Sequence, residues 1–296
     1  MNKSGTGADF SLGQITVHRI VESICREFAP LEFFPQTTPA DWAKHRGWME
    51  PRALDPASGN LVLPIQGFLV RTRHHTILVD TCVGDHKPRE ARPFWHRLKL
   101  NTFLPRLAAA GVRPEDVDYV MCTHLHWDHV GWNTRLSDGR WVPTFPNAKY
   151  IFAKREWDSF EDFHRKTPQP HYFDSLLPVV EAKQAQFVDM DFALDDEVRL
   201  EPTPGHTPGH VAVRLASGGA QAVITGDCIH SPVQCLEPAW VMRADADHEQ
   251  AARTRKRFLE SCSEKPITVC ATHFPEPSIG RVVRRGDAFW FDDGSG

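Results

Sequence analysis

The chain's 296 residues suffice for one large domain or two small ones, and 41% hydrophobic content supplies a sizeable core. A net charge of -4 excludes the basic excess that tracks nucleic acid, and no apolar run approaches the ~20 residues of a membrane-spanning helix. The start, Met1 to Phe10, is polar and Gly-rich without the apolar stretch of a secretion signal. Seven cysteines are scattered with no CxxC pair, which speaks against a disulfide framework or zinc knuckle and for reduced, buried thiols. The expectation is therefore a cytoplasmic protein with neither membrane nor nucleic acid as partner. Sixteen His and nine Trp are high counts that fit metal chemistry and aromatic-lined pockets.

In chain order, Gln14 to Glu22 alternates apolar and polar residues as a half-buried strand does. Residues 25 to 60 read as irregular, with five prolines among Phe28, Phe33, Phe34, Trp42 and Trp48. That aromatic surface packs on the core, lines a site mouth or joins a homodimer interface. Leu61 to Thr72 and Thr76 to Thr81 form a strand pair turning near Arg73-His74-His75. Asp80 ends an apolar run and needs a partner, either a ligand His to orient or a turn to cap. Phe94 to Gly111 reads as a helix interrupted at Pro105.

Val117 to Cys122 is a short buried strand that runs into Thr123-His124-Leu125-His126-Trp127-Asp128-His129-Val130-Gly131. His124 and His126 are two apart and point to one side of an extended segment. Asp128 and His129 follow once the chain has turned, so one loop can feed two metals. After Gly131 come a polar, Trp-bearing loop, a strand at Ala148 to Ala153, and helices at Arg155 to Arg165 and Ser175 to Gln184. Glu197 to Thr203 is a strand entering the rigid turn Pro204-Gly205-His206-Thr207-Pro208-Gly209-His210. Strands at His210 to Leu215 and Ala220 to Thr225 follow, the second ending in Gly226-Asp227. A charged helix (Asp247 to Cys262) leads to a strand at Ile267 to Ala271 that ends in Thr272-His273, and Arg281 to Phe291 adds a hairpin. The pattern is α/β in a single domain, residues 1–296, with an N-terminal extension over about 1–60.

Strand ends are where α/β sheets collect functional groups. Here they offer His124, His126, Asp128, His129, His206, Asp227 and His273, five imidazoles and two carboxylates. That donor set suits zinc, and also Mn, Fe or Co. The pattern resembles the metallo-β-lactamase superfamily, whose signature is HxHxDH and whose later motifs match the strand ends at His206, Asp227 and His273 in order. The resemblance spans about residues 14 to 291. It implies an αβ/βα sandwich of two mixed β-sheets with helices on the outer faces. It also implies two Zn2+: His124, His126 and His206 on one, Asp128, His129 and His273 on the other, Asp227 and a hydroxide bridging. Asp128 and Asp227 are the carboxylates implied to be catalytic, Asp128 as anchor of the second metal and Asp227 as proton shuttle to the leaving group.

True β-lactamases carry Cys or a non-ligand at the bridging position, where this chain has Asp227. Flavo-diiron proteins carry Glu where it has His126. Within the superfamily the chain looks most like the acyl-homoserine-lactone lactonases and methyl-parathion-type hydrolases, through His-Leu-His-Trp-Asp-His-Val-Gly, Pro-Gly-His-Thr-Pro-Gly-His and Arg155-Glu-Trp-Asp. The expected activity is opening of a lactone or cleavage of an ester, with a phosphotriesterase side reaction. A glyoxalase-II-like thioesterase and an iron-dependent persulfide dioxygenase are the alternatives. Trp127, Trp132, Trp157, Tyr172, Phe173 and Phe274 are candidates to line a small-molecule pocket or to pack the core. His210 and His230 read as neighbours of the ligands rather than ligands.

Overall fold

The computed structural model describes residues 10–294, so the Gly-rich start lies outside it up to residue 9. In chain order the described strands and helices are β1 (Phe10–Leu12), β2 (Ile15–Cys25), α1 (Pro30–Phe33), α2 (Pro39–Met49), β3 (Leu63–Arg71), β4 (Thr76–Val79), α3 (Phe103–Ala109), β5 (Tyr119–Met121), α4 (Trp127–Val130), β6 (Thr134–Ser137), β7 (Arg140–Pro143), β8 (Lys149–Ala153), α5 (Lys154–Lys166), α6 (Leu177–Glu181), β9 (Ala185–Val188), β10 (Val198–Pro202), β11 (Val211–Ser217), β12 (Ala220–Ile224), α7 (Val233–Leu236), α8 (His248–Glu264), β13 (Ile267–Cys270), β14 (Ile279–Arg285) and β15 (Ala288–Asp292).

Contacts divide the chain into two compact units. One comprises Ile65–Phe192 and the chain up to Ser23; the other comprises Ile24–Pro64 and the chain from Ala193 onward. A seven-stranded mixed sheet, order β1-β2-β3-β4-β5-β8-β9, dominates the first unit. Its strands β4, β5, β8 and β9 run parallel. The residues of β4, β5 and β8 are mostly Val, Ile, Leu and aromatics, as fits strands buried on both faces, whereas β9 at the edge leaves Gln186 and Phe187 exposed. Helix α5 buries Trp157 and Phe160 at helical spacing and ties Lys154 to Asp158 across one turn on its outer side.

A six-stranded sheet, order β10 to β15, dominates the second unit. Only β12 and β13 run parallel within it, Ile224 opposite Cys270. Helix α8 is capped by Asp247, whose carboxylate accepts from the Gln250 N–H at 2.9 Å. It buries Ala251, Arg255, Phe258, Leu259 and Cys262, one stripe at helical spacing. Phe258, Leu259 and Cys262 join the core of this unit with Val223, Val269, Phe274 and Phe291.

The structure adds β1 and α7 to the sequence reading, and four further stretches differ from it. Residues 25–60 are not irregular throughout, because Thr38 and Asp41 form a reciprocal capping box and Pro39 starts α2 at its first position. The helix expected over 94–111 is a 3-10 turn at Pro93–Trp95 followed by α3. Arg97 and Asn101 take left-handed backbone conformations between them. The Asp85 carboxylate holds that break by accepting from the N–H groups of Leu100 (2.8 Å) and Asn101 (2.9 Å). The loop after Gly131 is a β6–β7 hairpin whose Asp138-Gly139 turn has φ of 49° and 76°, the conformation such a dipeptide favours. Strand β9, which the sequence reading lacked, closes one edge of the first sheet.

Candidate metal centre

In the first unit, parallel pairing sets Val79 opposite Met121. The next residues of both strands therefore meet. Asp80, buried and at φ 59°, turns its carboxylate onto the ligand loop. It accepts from the Thr123 N–H (2.8 Å) and Thr123 Oγ1 (2.9 Å) and pairs with His129 Nδ1 at 2.8 Å. Of the two roles read for Asp80, orienting a His is the one observed. Because Thr123 Oγ1 donates to Asp80, its lone pairs face His124 Nδ1 at 3.1 Å.

The short helix α4 carries Asp128 and His129 and is pinned by backbone bonds. The Thr81 N–H donates to the His129 carbonyl (2.8 Å), and the Gly131 N–H to the Cys82 carbonyl (2.7 Å). Gly131 has to be glycine here, since a Cβ would fall 1.8 Å from the Val83 carbonyl oxygen. The imidazoles gather accordingly: His124 and His126 ring centroids are 4.6 Å apart, those of His124 and His129 4.1 Å. Asp128 Oδ2 lies 3.8 Å from His129 Nε2.

In the second unit the ligand residues meet at one end of the sheet. The register of β12 and β13 places Asp227 beside His273, each three residues beyond a paired position. The loop between β10 and β11 brings His206 to the same end, because Pro202 pairs with Val211. Asp227 then offers its two oxygens to different rings: Oδ2 is 3.2 Å from His206 Nε2, and Oδ1 is 3.0 Å from His273 Nε2. The far nitrogens are engaged elsewhere. His206 Nδ1 bonds Asp245 at 2.7 Å, and His273 Nδ1 donates to the Pro64 carbonyl at 2.9 Å.

Two neighbours of Asp227 read from sequence as non-ligands have defined contacts. His210 Nδ1 donates to Thr203 Oγ1 (2.8 Å), and its Nε2 accepts the Asp227 backbone N–H (2.8 Å). His230 Nε2 lies 3.1 Å from Asp227 Oδ2, its ring stacked 5.9 Å from that of His273. Cys228 is buried, and burial pushes its thiol up to about 12, which leaves it inert.

The donor chemistry fits divalent cations. His124, His129, His206 and His273 all engage a protein group at Nδ1. Such an outer partner fixes the ring so that Nε2 is the ligand nitrogen. Burial disfavours a charged His206, but Asp227 and Asp245 outweigh it and raise its pKa to about 9. A proton held on an imidazole between buried carboxylates is what a metal displaces.

The pocket candidates divide. Trp132 donates to Glu22 and stacks on Phe103 at 5.7 Å, Trp157 packs on Phe152, and Phe274 on Phe291; all three are core residues. Trp127 and Tyr172 keep partial exposure, and Phe173 is 55% exposed. Sequence reasoning missed three buried groups. Glu156 accepts from the Leu125 N–H between the two first His (3.1 Å); Glu22 and Asp245 are the others. Glu156 lies in the Arg155-Glu-Trp-Asp motif, which gives it no role in the sequence reading, and no motif marks Glu22 or Asp245, although Asp245 stands two residues before a helix cap.

The model of the metallo-beta-lactamase superfamily matches residues 61–273. An N-acyl homoserine lactonase of Bacillus cereus is 28% identical over 222 residues, covering 71% of this chain and 81% of that protein. Among solved structures, the hydrolase AbOPH of the beta lactamase superfamily superposes with a TM-score of 0.81 at 23% identity, over 98% of both chains. The dizinc quorum-quenching lactonase AidC, solved with an N-hexanoyl-L-homoserine product, gives 0.76 at 23% identity over 96% of both.

Proposed function

Because the chain belongs to the metallo-β-lactamase superfamily, and has its fold and the hydrolytic character of its lactonase relatives, we propose that it is a dinuclear-metal hydrolase that opens lactones, N-acyl-homoserine lactones first among them. His124, His126 and His206 hold one cation, Asp128, His129 and His273 the other, and Asp227 serves both. The observation that carries this is the Asp227 carboxylate, whose two oxygens face two different imidazoles at 3.2 and 3.0 Å, the posture of a bridging ligand. Two divalent cations, zinc by preference, supply Lewis acidity and a nucleophilic water whose pKa falls towards 7.

The chain's own residues do the rest. Thr123, Asp80, Asp245 and the Pro64 carbonyl hold the imidazoles in one orientation, so little reorganisation is needed when charge develops. In this reading Asp227 passes a proton to the leaving alkoxide, and the bond from His230 to the same carboxylate supports that role. Partly exposed Trp127 and Tyr172 present apolar faces with a polar tip, suited to an acyl amide. The same centre serves a phosphotriester as a side substrate, since both reactions put an oxyanion where a carbonyl or phosphoryl oxygen was.

The test is proton release by zinc-loaded protein on a long-chain N-acyl-homoserine lactone, with metal content measured on the same sample. Release with about two metals per chain is the expected result. Two metals without release discards the lactone and moves the search to S-lactoylglutathione and aryl phosphotriesters. Less than one metal, or mostly iron with oxygen uptake, overturns the reading in favour of a dioxygenase.

A further inference from the structure

Behind His206 lies a buried group that no sequence motif marks. Asp245 pairs with His206 Nδ1 at 2.7 Å through Oδ1. Its Oδ2 accepts the Met242 N–H at 2.9 Å and lies 3.6 Å from an Nη of Arg255. Arg255 is 1% exposed, a charge buried in the core of the second unit. Burial is costly for a guanidinium unless its donors are used, and here they are. Nε donates to the Cys228 carbonyl at 3.0 Å, and Nη1 to the carbonyls of Trp240 (2.6 Å) and Pro238 (3.0 Å).

These contacts share a pattern. Cys228 follows Asp227 in the chain, and Asp245 backs His206. One arginine therefore touches the backbone beside one expected ligand and the carboxylate behind another. The helix that carries it is registered on the same loop by its own start. The N–H groups of Ala246 and Asp247 donate to the carbonyls of His206 and Gly205, each at 3.0 Å. A Cβ on Gly205 would lie 2.4 Å from the backbone of Ala251. Ala251 precedes Arg255 by one turn on the same face of α8.

We propose that Arg255 and Asp245 form a positioning clamp: α8 sets the distance between His206 and Asp227 through Arg255, and Asp245 fixes the His206 ring with Nε2 forward. A lysine cannot replace the arginine fully, because a point ammonium lacks the fork that reaches the Cys228, Trp240 and Pro238 carbonyls together. The proposal rests on His206 and Asp227 being metal ligands, but its geometric half does not need the metal.

The experiment compares Asp245→Asn, Arg255→Lys and Arg255→Met with the parent protein. The first readout is the low-field proton on His206 Nδ1 in 15N-histidine-labelled protein without metal, assigned by its absence in His206→Gln. The second is zinc affinity by competition with a chromophoric chelator. Asp245→Asn should move or abolish the His206 resonance and weaken zinc roughly 10- to 100-fold, as loss of an outer partner does. Arg255→Met should shift the same resonance and weaken zinc comparably, and Arg255→Lys should fall between. If Arg255→Met fails to fold, the lysine variant and Asp245→Asn decide. Folded variants with an unmoved His206 resonance and zinc affinity within about twofold of the parent would overturn the clamp. A parent protein that takes up no zinc would sink the metal reading instead, and the His206 resonance would still test the clamp.

Discussion

Asp128 and His129 are adjacent in sequence yet held in different ways. His129 is locked from behind by Asp80, while Asp128 reaches forward to within 3.8 Å of His129 Nε2 and keeps some exposure. A partly exposed carboxylate on a four-residue helix is a more adjustable ligand than a buried, paired imidazole. Asp128→Ala should leave the fold intact, because Asp128 is only partly buried and the backbone bonds that pin α4 do not depend on its side chain. Metal content should drop from about two to about one per chain, the anchor of the second ion being lost. Lactone hydrolysis should fall by more than about 100-fold, beyond what losing an outer partner costs. Metal analysis and steady-state kinetics on one preparation check this. Two retained metals with unimpaired turnover would remove Asp128 from the ligand set.

Elements explain which parts of the site were readable. The run His124 to Gly131 declares itself because its clustered His and Asp residues serve no core purpose, and the register of parallel strands then places Asp80 against Thr123 and Asp227 beside His273. Strand ends were legible for the same reason: apolar runs stop where polar ligands begin. Asp245 and Arg255 were not legible, since Arg255 reads in sequence like any solvated charge on a helix face and Asp245 like any acid in the loop before it. The helix over 94–111 was misread because left-handed Arg97 and Asn101 leave no pattern, unlike glycine. Hairpin β6–β7 had a visible Asp-Gly signal that the polar loop around it concealed. At this scale the contact between α8 and the His206 loop has its own consequence. Gly205 sits at φ +136° with Ala251 backbone where a Cβ would go. Gly205→Ala should destabilise the protein by roughly 2–4 kcal/mol, backbone overlap adding to conformational strain. Urea unfolding measures it. A loss under about 0.5 kcal/mol would mean that α8 can slide, which would also loosen the spacing that Arg255 is proposed to set.

The stability of the molecule as a whole should bend with pH through a residue remote from the ligands in sequence. Glu22 is buried, and its carboxylate accepts from the N–H groups of Val83 and Gly84, both at 3.0 Å, and from Trp132 Nε1 at 2.7 Å. Desolvation raises its pKa from 4.5 to about 7, and the three donors recover only part of that. A carboxyl with a raised folded pKa holds its proton longer in the folded state than in the unfolded one. Stability is thus fully present below about pH 4.5 and is lost as pH climbs through about 7, by about 3 kcal/mol in all. Glu22→Gln removes the titration but leaves the Val83 N–H facing an amide, so the variant should be less stable at low pH. The gap between parent and variant should then narrow from pH 5 to pH 8, because only the parent bears the cost of ionising a buried acid. Metal-free protein should be used for both, so that ligand histidines titrate alike and cancel in the difference. A gap constant within about 0.5 kcal/mol would mean that three N–H donors solvate the buried carboxylate as well as water does. Glu22 would then be an ionised clamp on the Val83-Gly84 turn across the whole range.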